Sequence, residues 1–168
     1  MKIALIGTHG TGKTTLAHEL VAELKKSGMN AEFLGEFARM CPLPINEELT
    51  EKSVEWIVYS QYVKEMELEP QCKLLVCDRS VFDGYVYYHN KFGENNLLEE
   101  FVKEKISGYD FLFLVQINES HLKEDGKRSI NPKFQRDISL KFDELLKRFS
   151  IKYHIVKNVG EILKVMKT

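Results

Sequence analysis

The residues with the most specific chemistry stand near the start of the chain, at Gly7-Thr8-His9-Gly10-Thr11-Gly12-Lys13-Thr14. They spell GxxxxGK[ST], the pattern of a phosphate-binding loop, or P-loop. Its glycines let the backbone wrap so that successive N–H groups point at one anion. A helix that starts at the loop adds the positive end of its dipole. Lys13 is then placed to reach the β- and γ-phosphates of a nucleotide, and the Thr14 hydroxyl to ligate Mg2+. Gly7, Thr8, His9, Gly10, Thr11, Gly12, Lys13, Thr14 and Thr15 form the expected nucleotide contact. His9 fills a free position of the pattern, and its ring reads as solvent-facing rather than catalytic.

A P-loop site needs an acid near its metal. The apolar run Leu74-Leu75-Val76-Cys77 ends on Asp78-Arg79-Ser80. In a parallel sheet the carboxyl ends of the strands form the ligand edge. Asp78 is therefore the second expected Mg2+ partner, through water. Arg79 beside it can neutralise a transferring phosphoryl group or grip an acceptor. Ser80 and Asp83, three apart, read as a capping box, and Cys77 as packing.

These groups need a scaffold, and its elements are visible. Apolar runs recur at Ile3–Ile6, Leu74–Cys77, Phe111–Val115 and Ile151–Val156, with a weaker one at Ala31–Leu34. Short apolar runs between helical patterns read as strands of a parallel sheet buried on both faces. Leu16, Leu20 and Leu24 mark a helix that Ser27-Gly28 ends. A second helix is expected over 47–69, with Trp56, Tyr59, Val63 and Met66 as one stripe and Pro70 as its stop. This stripe suits either the core of a monomer or a face against a second copy. A third helix runs from the Ser80 cap to about His89. Asn131-Pro132 opens another, striped by Phe134, Ile138, Phe142, Leu145 and Phe149. The class is α/β, a three-layer α/β/α sandwich around a five-stranded parallel sheet, in one domain over 1–168.

Composition narrows the partners. The 24 Lys and Arg residues and 25 Asp and Glu residues give a net charge of -1, without the positive field that broad duplex binding needs. Cys41, Cys72 and Cys77 are too few, and wrongly spaced, for a disulfide framework or a zinc site. No apolar stretch approaches a membrane span or a signal core, so a cytoplasmic protein with reduced thiols is expected.

Taken together, the motifs resemble the P-loop nucleoside and nucleotide kinase superfamily. The run Cys77-Asp78-Arg79-Ser80-Val81-Phe82-Asp83-Gly84-Tyr85 is similar to the Asp/Glu-Arg-Ser segment of deoxynucleoside kinases. It also resembles a small ribosylnicotinamide kinase-like P-loop ATPase family, an AAA-type P-loop domain of small single-domain proteins. The resemblance implies strand order 2-3-1-4-5. It also implies that an acid at the end of the second strand orients the acceptor or takes its proton. Glu36 stands there, in Gly35-Glu36-Phe37-Ala38-Arg39, and Arg39 lies three residues on, toward the substrate. Deoxynucleoside kinases usually carry Glu-Pro at this place, a departure that argues against a deoxynucleoside acceptor. In the resembling kinases a glutamine followed by tyrosine reads the substrate base, and Gln61-Tyr62 matches it. A lid-like segment about 118–136 carries Lys123, Lys127, Arg128, Lys133 and Arg136, and its arginines would close over phosphates. Such closure excludes water and favours transfer over hydrolysis.

The function this implies is Mg2+- and ATP-dependent phosphoryl transfer to a nucleoside, nucleotide or ribosylnicotinamide. Lys13, Glu36, Asp78, Arg79 and Arg128 would serve catalysis, Thr14 and Asp78 the metal, Arg136 the nucleotide, and Glu36, Arg39, Gln61 and Arg79 the acceptor. Two rivals stand beside it: a nucleotide hydrolase or switch, and a non-enzymatic ATP-binding regulator. No water-positioning glutamine marks a switch segment, and pure binding has no need of both Lys13 and Asp78.

Overall fold

The computed structural model describes residues 1–117, 126 and 129–167. Its elements follow in the order β1 (Lys2–Ile6), α1 (Lys13–Lys26), β2 (Ala31–Leu34), α2 (Glu51–Leu68), β3 (Leu74–Asp78), α3 (Val81–Phe92), α4 (Asn96–Ile106), β4 (Phe111–Val115), α5 (Pro132–Arg148), β5 (His154–Val156) and α6 (Val159–Val165). The strands form one five-stranded sheet in the order β2-β3-β1-β4-β5, and every neighbouring pair is parallel. The expected order holds.

The sheet sorts its residues by pleat. Ala4, Ile6, Leu75, Cys77, Leu112 and Leu114 face the core shared with α2, α3, α4 and α5. Ile3, Leu5, Leu74, Val76, Phe113 and Val115 face the core shared with α1 and α6. Alternate side chains on opposite faces, both buried, explain why the central strands read as continuous apolar runs. Leu5 is in register with Asp78 on one side and Phe113 on the other, so β1 and β3 end side by side. That brings the P-loop, which follows β1, against the Asp78-Arg79 corner.

Three expectations need correction. The second helix starts at Glu51 rather than 47, because Thr50 and Ser53 close a capping box and 46–48 form a separate short turn. Its stripe of Tyr59, Val63 and Met66 lies on the surface, each about half exposed, and Trp56 is only partly covered. The face turned to the core carries Val54, Val58, Gln61 and Glu65 instead. Two apolar-to-polar faces compete on this helix, and the more polar one is buried because it lies under the cleft. The last strand covers only 154–156. Ile151 is consumed in the exit of α5, where Ser150 takes φ 53 and the Ile151 N–H bonds to the Leu146 carbonyl.

Gly84 sets the spacing of α2 and α3. A Cβ there would lie 2.4 Å from Val58 Cγ2, so only a glycine lets the two helices meet at this separation. None of the described helices is long and apolar enough to cross a membrane.

Candidate active site

The P-loop leaves β1 at Gly7, where φ is 131° and a Cβ would fall 2.8 Å from the Val115 carbonyl oxygen. No other residue type fits that turn. Gly12, with φ 89°, caps α1, and no side chain occupies the helix N-terminus as a cap. The first turn also holds no acid, so the end of α1 suits an anion. Lys13 is buried, and its ammonium donates to the Thr8 carbonyl and to Thr11 Oγ1, 3.1 Å away. Burial, and after it the Arg79 charge, pushes the Lys13 ammonium down to about 8 against the pull of Asp78, Asp83 and Glu36.

Thr14 Oγ1 donates to Asp78 Oδ2 at 2.6 Å. Asp78 Oδ1 is buried and has no hydrogen-bond partner among the described residues. Burial raises the Asp78 carboxyl above its ordinary value and Glu36 adds to this, while Lys13 and Thr14 oppose it. A hydroxyl facing a carboxylate with one spare oxygen fits a hydrated divalent cation. Among the described residues there is no cluster of three or more His, Cys, Asp or Glu that could hold a metal alone. Such a cation would therefore lean on nucleotide phosphates and water for most of its ligands.

Arg79 joins the P-loop end of the site to the Glu36 end. It is buried and sits at φ 83°, a left-handed conformation that turns its side chain back across the sheet edge. Its Nη1 donates to the Gly7 carbonyl at 3.2 Å and lies 3.5 Å from Asp83 Oδ1. Its Nε donates to Glu36 Oε1 at 2.6 Å, and its guanidinium lies over the Tyr87 ring. Arg39 Nε approaches the other Glu36 oxygen at 3.2 Å. Burial opposes the Glu36 charge, but Arg79 and Lys13 outweigh it and hold the carboxyl below its ordinary value. Glu36 is thus kept ionised, as an acceptor for hydroxyl protons.

Asp83 does more than cap α3. Its Oδ2 accepts from the Ser80 N–H and hydroxyl, both at 2.8 Å, and its Oδ1 accepts from the Gly7 N–H at 3.1 Å. The capping box thereby braces the first residue of the P-loop.

These groups border one cleft of about 370 Å3, lined by residues 9–15 of the P-loop and by Glu36, Arg39, Gln61, Arg79 and Tyr87. Gly7, Thr8 and Asp78 do not line it, and Asp78 is joined to it by the Thr14 hydroxyl. His9 is buried rather than solvent-facing, at 4% exposure. Its Nδ1 is 2.9 Å from the Tyr87 hydroxyl, and its ring packs 5.3 Å from Phe134. Arg136 is exposed and does not line the cleft. One residue before it, about 100° around the helix, Gln135 points inward. Its amide nitrogen donates to the carbonyls of His9 and Gly10. Arg128 and most of the lid-like segment lie outside the described residues.

Tyr87 and Gln135 were not expected in the site. Tyr87 lies four residues beyond Asp83 on one face of α3, and Gln135 lies three before Ile138 at the head of an apolar stripe. A polar residue in register with a buried face was the available signal in both.

The family model described as AAA domain matches residues 2–161. The chain belongs to this family. No curated protein matches this AAA domain. Solved structures share its fold. A thymidylate kinase from Ehrlichia chaffeensis is 19% identical, with a TM-score of 0.73 over 99% of this chain and 98% of its own. A deoxyadenosine kinase from M. mycoides with bound dATP is 16% identical, with a TM-score of 0.69 over 100% of both chains. The same kinase with dCMP and dCDP aligns at 15% identity and a TM-score of 0.67, over 99% and 97%. The parallel five-stranded sheet and its P-loop belong to the fold that the chain shares with these kinases.

Proposed function

We propose that the protein is a small-molecule kinase that moves the γ-phosphoryl group of ATP to a nucleoside, nucleotide or ribosylnicotinamide. The observation that carries this reading is the continuity of the cleft from the P-loop to Glu36, Arg39 and Gln61. A site that only gripped or hydrolysed a nucleotide would need no second chamber, with polar groups set in an apolar wall of Phe37, Ile45, Leu49 and Ile57, beyond the phosphates. The kinase activities of proteins with the same fold agree with it.

In this reading the P-loop N–H groups and Lys13 hold the phosphates. Mg2+, when bound, neutralises charge on the β- and γ-oxygens, and Thr14 and Asp78 would hold it. Glu36 accepts a hydrogen bond from the acceptor hydroxyl and takes its proton as the new P–O bond forms and the bond to the leaving ADP breaks. Its lowered pKa suits orienting a hydroxyl whose proton leaves late. Arg79 faces charge that develops on the transferred group while also fixing Glu36. Arg128 would add charge from the lid.

The test is label transfer from ATP with Mg2+ to a panel of nucleosides, nucleotides and ribosylnicotinamide. We expect acceptor-dependent labelling. Phosphate release independent of any acceptor would establish a hydrolase, and tight ATP binding without turnover a regulator.

A further inference from the structure

Gln61 and Glu65 lie one turn apart on the buried face of α2, at 2% and 1% exposure. A buried glutamine amide can present either its oxygen or its nitrogen to a ligand, and a chain of hydrogen bonds decides which. The chain starts at the Val81 N–H, which can only donate, and which donates to the Tyr109 hydroxyl at 3.4 Å. The Tyr109 hydroxyl donates in turn to Glu65 Oε1. Glu65 Oε2 is paired with the buried Lys2 ammonium at 3.1 Å. Glu65 is thus an acceptor on both oxygens, and Gln61 Nε2 donates to Oε1 at 2.7 Å. The second amide hydrogen points to the Arg79 carbonyl at 3.4 Å. Both N–H bonds of Gln61 are spent on groups that cannot donate. Its Oε1 has no donor among the described residues, and Gln61 lines the cleft.

We propose that Glu65, held by Tyr109 and Lys2, is a positioning residue that locks the Gln61 amide with its carbonyl oxygen toward the cleft, so that the acceptor must bring an N–H donor to that point. This rests on the kinase reading and narrows its substrate class to ring systems with an exocyclic amino or carboxamide group. An amino-bearing base and a nicotinamide share that chemistry. A ligand without the donor leaves a buried carbonyl unpaired, which a site built for hydrogen bonding penalises.

The experiment uses the whole protein with ATP and Mg2+ and three acceptor pairs that differ in the donor. They are adenosine and purine riboside, cytidine and 2-pyrimidinone riboside, and ribosylnicotinamide and its nicotinic acid counterpart. In the pair the enzyme accepts, kcat/KM for the N–H member is expected to exceed its partner by at least about tenfold. The accepted pair separates the base from the nicotinamide source. Glu65→Gln frees the amide to turn over, and the ratio is expected to fall to about threefold or less. The double variant Lys2→Met, Glu65→Leu, which removes the buried ion pair whole and leaves no acceptor beside Gln61, should shift the ratio the same way if the first variant does not fold. A purely structural role would lower both members equally and leave the ratio unchanged, which would overturn the proposal. Equal use of both members by the parent protein would overturn it while leaving the kinase reading intact. If no acceptor is labelled the kinase reading fails, and calorimetric binding of the same pairs decides the inference: tenfold tighter binding of the N–H member supports it, and equal or absent binding overturns it.

Discussion

In the P-loop half of the cleft, consecutive residues form the wall, and backbone sets its shape. In the half beyond it, each side chain comes from a different element: Glu36 from the end of β2, Gln61 from α2, Arg79 from the end of β3 and Tyr87 from α3. The P-loop half needs glycines at fixed places. The other half depends on side-chain pairs that only the tertiary fold brings together, such as Arg79 with Glu36, 43 residues apart. In the proposed function, a general grip on phosphate can therefore stay constant while recognition of the acceptor changes.

That contrast can be broken by substitution, and the largest effect belongs to Lys13→Ala. Transfer is expected to fall about a thousandfold, with the melting temperature unchanged or slightly higher, because a buried cation is removed. Steady-state rates and a thermal melt check both halves of this statement. Glu36→Gln should lower turnover about a hundredfold and leave ATP affinity within about threefold. A matching loss of ATP affinity, measured by calorimetry, would merge the two halves and remove the distinction.

Gly84→Ala tests the scaffold rather than the chemistry. The new methyl meets Val58, and a loss of about 1–3 kcal/mol in stability is expected from denaturant unfolding. Because α2 carries Gln61, acceptor KM should worsen more than ATP KM. The smallest effect concerns pH. Lys13 titrates near 8 in the free protein, and bound phosphates favour its charged form, so binding takes up a proton. Nucleotide affinity should be flat below about pH 8 and fall above it, by at most about tenfold per pH unit. An affinity that stays level from pH 7 to 9.5 would show that the ammonium is not what the phosphates meet.

The same contrast explains what was legible in sequence. The P-loop could be read outright, because its residues are contiguous and its chemistry is tied to their order. Asp78 and Arg79 followed from one fact, that strands of a parallel sheet end together. Sheet order came through resemblance, since no local spacing encodes it. The α2 stripe misled because Tyr59, Val63 and Met66 are more apolar than Gln61 and Glu65, and periodicity cannot say which face lies under the cleft. Gln135 and Arg136 show the same limit at one residue's resolution. The charged neighbour drew attention, while the amide one step earlier holds the loop. His9 was misplaced because burial of a loop residue depends on Tyr87 and Phe134, distant in the chain.

The bonds within and behind the P-loop carry one more consequence. Gly7 is held by Asp83, the His9 and Gly10 carbonyls by Gln135, and Thr8 and Thr11 by Lys13. The loop is thus held in one shape by side chains of the fold itself. Much of its conformational entropy is therefore lost during folding, which lowers what an anion must spend on ordering it.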